Sequence, residues 1–165
     1  MKPARPHSSL CPRNLRLNVF IAEALTQASN LVELERPMPG VVVLEDDELV
    51  REVLTDIIEA EGFTVRPAAT VGDAIAQIDS MPRCELLLTD IDLGPGPSGF
   101  DAAKVVQERH PCLPVIYLTG RPDHANDRHF GPRERFLRKP FRTPELVDAM
   151  RSLGVHPPAQ SYAAD

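Results

Sequence analysis

Leu86-Leu87-Leu88-Thr89-Asp90 is the stretch whose reading decides the fold: an apolar run that ends abruptly in an acid. An acid at the carboxyl end of a buried strand of a parallel sheet points into the crevice where α/β folds bind ligands. Three other short apolar runs end comparably. Val41 to Leu44 runs into Glu45-Asp46-Asp47, Val115-Ile116-Tyr117-Leu118 into Thr119, and Phe136-Leu137 leads to Lys139-Pro140. Four strand ends carrying acid, acid, hydroxyl and amine suggest a site for Mg²⁺ and a phosphoryl group.

Working outward from these runs, strand and helix patterns alternate. The strands are expected at Val41–Leu44, Phe63–Arg66, Cys84–Thr89, Leu113–Leu118 and Arg135–Leu137. Between the first two, Glu48 to Ala60 carries Leu49, Val50, Val53, Leu54, Ile57 and Ile58 on one stripe, and Gly62 stops it. Thr70-Val71-Gly72-Asp73 resembles a capping box for a helix through Ile78. Phe100 to His110 forms the next helix, and Thr143-Pro144-Glu145 opens the last one with Thr143 as N-cap. The stretch 121–133 is poorly helical, because Pro122, Gly131 and Pro132 interrupt it. Parallel strands need crossover connections, so the pattern predicts an α/β fold: a doubly wound, five-stranded parallel sheet with helices on both faces.

The chain has 165 residues, enough for one domain and a short extension. Residues 38–154 are expected to form the domain, with 155–165 a loose tail. Residues 1–37 form an N-terminal extension set off by Pro37, Pro39 and Gly40. Within it, 15–35 reads as a helix with Leu17, Phe20, Ala24, Ala28 and Leu31 on one face, either a loosely docked appendage or a partner-binding element. Met38 raises the alternative that translation starts there. The net charge of -6 argues against nucleic acid as the main partner. No apolar run approaches a membrane span or a signal-peptide core. Three cysteines, Cys11, Cys84 and Cys112, without metal-type spacing indicate reduced thiols and a cytoplasmic setting. Cys84 and Cys112 are expected to pack as small hydrophobes.

The segments Val42 to Glu48, Leu88-Thr89-Asp90-Ile91-Asp92, Ile116 to Gly120 and Phe136 to Phe141 together resemble the receiver domain of two-component response regulators, of the CheY-like type. The resemblance covers residues 41–153 and implies the flavodoxin-like strand order 2-1-3-4-5. It implies Asp90 as phosphoacceptor, attacking phosphorus carried on a kinase histidine. Asp46 and Asp90 would ligate Mg²⁺ directly, Glu45 through water, and Asp92 through its backbone carbonyl, its side chain remaining solvated. Lys139 would neutralise charge during transfer, after a peptide bond that is often cis in the family. Thr119 would hydrogen-bond a phosphoryl oxygen, and its displacement would let Phe136, at the aromatic switch position, rotate inward.

Some features depart from the family pattern. The loop after Asp90 is one residue longer, placing Gly99 nine residues on, and Gly94 stands where proline is usual. Gly120 follows Thr119, and a small residue there would leave room for the phosphoryl group. The resemblance places output on the fourth helix, which is short and broken in this sequence, the fifth strand and the last helix. Residues 121–142 hold seven basic side chains against three acids. They form either an output surface for an acidic protein effector or an ordinary solvated face.

The expected function is a stand-alone phosphoacceptor switch. A sensor histidine kinase or phosphotransfer protein would load it, and it would act through protein contacts without direct DNA or membrane binding. Phosphorylation-dependent dimerisation is left open. One alternative is a receiver-like interaction module that works without phosphorylation. Another is a Mg²⁺-dependent aspartyl phosphatase, since Asp90-Ile91-Asp92 resembles the Asp-x-Asp of haloacid-dehalogenase-type enzymes. That motif normally follows the first strand, whereas here it ends the third.

Overall fold

The computed structural model describes residues 37–121, 123 and 128–158. The expected helix at 15–35 and the residues after 158 lie outside them. The elements in chain order are β1 (Gly40–Leu44), α1 (Glu48–Ala60), β2 (Thr64–Ala68), α2 (Val71–Ser80), β3 (Cys84–Asp90), α3 (Gly99–Arg109), β4 (Val115–Thr119), β5 (Glu134–Arg138) and α4 (Thr143–Ser152).

All pairings are parallel and the strand order is β2-β1-β3-β4-β5. Alternation along each strand builds two cores. Val41, Val43, Leu86, Leu88, Ile116 and Leu118 face Leu54 and Ile58 of α1 and Leu146 and Met150 of α4. Val42, Leu44, Leu87, Val115 and Tyr117 face Ala74 and Ile78 of α2 and Ala102, Ala103 and Val106 of α3. Burial on both faces explains why the central strands read as unbroken apolar runs. The strand order reverses between β1 and β3, which opens the crevice beyond their carboxyl ends.

Several boundaries differ from expectation for local reasons. β2 starts one residue late and runs on through Pro67, which an edge strand tolerates because it needs no inward N–H there. β4 enters its ladder only after Pro114, whose carbonyl accepts from Leu87 N–H at 3.0 Å. The cap of α4 is Arg142 rather than Thr143, because Glu145 accepts from the Arg142 backbone N–H at 2.9 Å and puts Thr143 and Pro144 in the first turn. At α2, Thr70 accepts from Asp73 N–H, but the Asp73 carboxylate takes the Thr70 hydroxyl and not its backbone N–H. Ser98 and Asp101 form the complete reciprocal box at α3. Val155 is buried against Met150 in the first core, so packing extends into the expected tail.

Cys84 packs against the second core, where burial pushes its thiol up to about 11. Cys112 is exposed, contrary to the expectation of packing, because it sits in the turn before β4. Between β4 and β5 the described residues contain no α-helix.

Candidate functional site

Three acid- or hydroxyl-bearing strand ends and one loop lysine meet in the crevice. β3 delivers Asp90, and its shape there depends on Gly99. A Cβ on Gly99 would stand 2.0 Å from the Asp90 carbonyl oxygen and 2.8 Å from Thr89 Oγ1. The backbone of α3's first residue therefore lies directly against the phosphoacceptor candidate, and Gly99 N–H donates to Ile91 O at 3.0 Å. Thr89, fully buried, closes its hydroxyl onto the Asp90 carbonyl at 2.8 Å.

Lys139 joins the two buried acids. Its ammonium donates to Asp90 Oδ2 and to Glu45 Oε2, both at 2.6 Å. The Lys139–Pro140 peptide is cis, and Lys139 N–H is held by Thr119 O at 2.8 Å. The other Asp90 oxygen, Oδ1, accepts from Asp92 N–H at 3.0 Å. Glu45 is 2% exposed. Burial pushes its carboxyl above the usual range despite Lys139, and the charge of Asp90 pushes the same way. Burial alone would lower the Lys139 ammonium, but its bonds to Asp90 and Glu45 outweigh that and raise it.

Asp46 is exposed at the rim, and its Oδ2 would lie 3.0 Å from a Cβ placed on Gly94. Gly94 also has φ +64, so the glycine in place of proline lets the longer loop close over Asp46. Gly96, at φ +152, gives that loop a second turn without a side chain. Asp92 is exposed as expected, yet its Oδ2 accepts the Thr119 hydroxyl at 3.3 Å. Thr119 Oγ1 in turn accepts from Arg121 N–H at 2.9 Å. A Cβ on Gly120 would meet open space, so the room beside Thr119 does not depend on glycine.

The donor chemistry fits a hard divalent cation. Glu45, Asp46, Asp90 and Asp92 set four carboxylates against one ammonium, and every candidate ligand is oxygen. Among the described residues no three acid, imidazole or thiol side chains converge on one point. Mg²⁺ asks for less, taking one or two carboxylates and keeping several waters.

Phe136 is half-buried in an aromatic row that the sequence did not disclose. Phe100 lies 4.8 Å from Tyr117, Tyr117 5.7 Å from Phe130, and Phe130 5.9 Å from Phe136, centroid to centroid. Arg128 places its guanidinium 3.9 Å over Phe100. The Tyr117 hydroxyl donates to Glu134 Oε1 at 2.7 Å, and Glu134 Oε2 accepts from Gly131 N–H at 2.8 Å. Burial pushes the Glu134 carboxyl up, but those hydrogen bonds outweigh it and hold it below the usual range. Arg133 donates to Cys112 O at 2.6 Å, and Arg135 reaches Ser152 at 2.9 Å. Arg142 donates to Glu145 Oε1 at 2.8 Å, so four of the basic residues expected on a free surface make contacts within the chain.

Arg51 was also missed, because its acceptors are backbone carbonyls that leave no mark in a sequence. It donates to Glu45 O at 2.8 Å and Asp46 O at 3.2 Å.

Residues 41–151 match the response regulator receiver domain family. The chain is 34% identical over 118 residues to the aerobic respiration control protein ArcA of Escherichia coli strain K12, covering 70% of this chain and 48% of that protein. It is 32% identical over 119 residues to the transcriptional regulatory protein CpxR of Klebsiella pneumoniae, covering 70% of this chain and 49% of that protein. The chain thus spans about half the length of these relatives. Among solved structures, the response regulator TrrA of Thermotoga maritima, in complex with Mg²⁺ and beryllium fluoride, superposes with a TM-score of 0.62 at 24% identity, over 70% of this chain and 99% of that one. Chemotaxis protein CheY4 of Vibrio cholerae gives 0.59 at 19% identity, over 71% and 99%. These likenesses show the fold, and the sequence match shows the lineage: the chain belongs to the response regulator receiver domain family of two-component systems.

Proposed function

We propose that this domain is a phosphoacceptor switch in a phosphorelay and that Asp90 receives the phosphoryl group. The observation that carries the reading is the Lys139 ammonium, bonded at 2.6 Å to Asp90 Oδ2 and to the buried Glu45. A carboxylate oxygen of Asp90 attacks phosphorus on a phosphohistidine. The bond from phosphorus to the histidine nitrogen breaks, that nitrogen keeps the electron pair, and an acyl phosphate remains on Asp90. Positive charge already placed beside the acceptor offsets the charge that develops on the phosphoryl oxygens. Asp46 and Asp90, with the Asp92 carbonyl and water held by Glu45, would hold Mg²⁺, which supplies further positive charge at those oxygens.

The donor approaches along α1. A groove of about 390 Å³, lined by Leu49, Val53, Ile57, Pro140 and Phe141 among others, includes Lys139 itself and so runs into the site. Leu49 is 73% and Val53 57% exposed there, and together with the groove they form a contiguous apolar patch of the kind that marks a protein-contact site. A histidine-bearing helix of the kinase or phosphotransfer protein would cover them.

The Thr119 hydroxyl is engaged with Asp92 and Arg121, so turning it toward a phosphoryl oxygen breaks both contacts. Loss of the Arg121 tether frees the end of β4, the strand whose Tyr117 stands in the aromatic row that ends in Phe136. Output is by protein contact at this face, where Arg121 and Arg138 remain exposed and suit an acidic effector. Arg128 and Arg133 are tied internally and serve the domain's own packing.

Intact mass after incubation with Mg²⁺ and acetyl phosphate tests the reading. Wild type should gain one phosphoryl mass, dependent on Mg²⁺, and Asp90→Ala none. A folded wild type that gains no mass would favour the phosphorylation-independent module. Many rapid turnovers of acetyl phosphate would favour the phosphatase.

A further inference from the structure

We infer that Arg51 is a positioning residue for the Mg²⁺ site, fixing the backbone that presents Glu45 and Asp46. The inference rests on the phosphoacceptor reading for its purpose, but its test reads metal binding alone.

Arg51 lies in the first turns of α1, four residues after the cap Asp47, and its side chain folds back along the helix. One terminal nitrogen, Nη1, donates to Glu45 O at 2.8 Å and to Asp46 O at 3.2 Å. Two consecutive carbonyls are thus gathered on one guanidinium, which orients two successive peptide planes. The other side of Glu45 is also tied, its N–H donating to Ala68 O of β2 at 3.1 Å. Glu45 is therefore clamped on both sides of its Cα, so its carboxylate enters the crevice while the next residue, Asp46, stays at the rim. A lysine ammonium would reach the same carbonyls, though without a planar fork. Without a donor, the two carbonyls turn to water and Asp46 samples orientations away from Asp90.

Outer partners that orient ligands are typically worth about 10–100-fold in metal affinity. The sign separates positioning from simple charge. Arg51 is a cation near four acids, so removing it leaves a more negative site, which on through-space attraction alone binds Mg²⁺ more tightly. Positioning predicts the reverse.

The experiment titrates Mg²⁺ into the ¹⁵N-labelled full chain and follows backbone amide shifts around Asp90. It compares wild type, Arg51→Ala, Arg51→Lys and the control Arg66→Ala, an exposed arginine of the edge strand β2. Arg51→Ala should raise the half-saturating Mg²⁺ about tenfold, while Arg51→Lys restores most of the affinity and Arg66→Ala matches wild type. Unchanged or tighter binding in Arg51→Ala overturns the inference. If Arg51→Ala loses its amide dispersion, Arg51→Gln decides: its neutral, shorter side chain should weaken binding, and wild-type affinity would overturn the inference. A wild type without Mg²⁺-dependent shifts also overturns it. A wild type that shows those shifts but forms no acyl phosphate overturns the phosphoacceptor reading alone.

Discussion

β3 and β5 are both parallel strands of the same sheet, and they are built differently. In β3, residues Leu86 to Asp90 are all buried, and the chain continues through a capped, glycine-seated helix. In β5, Glu134 to Leu137 are half-buried and Arg138 is exposed. The segment leading into it is held by an arginine on a ring, an arginine on a carbonyl and a tyrosine on a glutamate. The acids, whose placement the chemistry needs fixed, sit on the fully buried half, whereas the face proposed to respond sits on the half whose edge strand is only half-buried and leans on side-chain contacts. Regions that move in signalling are drawn from the low-stability end of a fold.

Truncation should separate the two halves most sharply. Leu88→Ala, in the fully buried strand, should cost about 4 kcal/mol, near the upper part of the range for buried leucine. Leu137→Ala, packed on the same core but half-buried, should cost about 1–2 kcal/mol. Urea unfolding checks both, and equal losses would remove the distinction.

A smaller effect tests what holds the looser half. Tyr117→Phe removes the hydrogen bond to Glu134 and should cost about 1 kcal/mol at neutral pH. Glu134 is held below its ordinary value of 4.5, so the stability it contributes is present above that pH and is lost as pH falls through the folded value. The gap between wild type and Tyr117→Phe should therefore close in acid below 4.5. Denaturant midpoints across pH read this directly, and a gap that persists in acid would assign the loss to packing instead.

The buried half was legible because its signals are unbroken apolar runs in the sequence itself. Leu86 to Leu88 and Val41 to Leu44 announce buried parallel strands, and acids at both ends announce a crevice. The strand order came with the family resemblance and is the order observed. What sequence missed are contacts without period. Arg51 bonds carbonyls, Arg128 lies on Phe100, and Tyr117 reaches Glu134 across the sheet. The segment 121–142 read as a stripe of charge because a count of arginines does not say which are already engaged. The α4 cap slipped by one residue because Thr143-Pro144 suits either the cap or the first turn, and Glu145 reaching back to Arg142 decides between them.

The central claim is that a charge change at Asp90 is read out on the β4–β5 half while the β1–β3 strands stay fixed. Hydrogen exchange of the full chain, with and without Mg²⁺ and beryllofluoride as a phosphoryl mimic, tests it directly. The account predicts altered exchange at Thr119 to Arg121 and across residues 128–138, with Val41 to Leu44 and Leu86 to Leu88 unchanged. Changes confined to the loops after β1 and β3, with 128–138 exchanging as in the free protein, would contradict it.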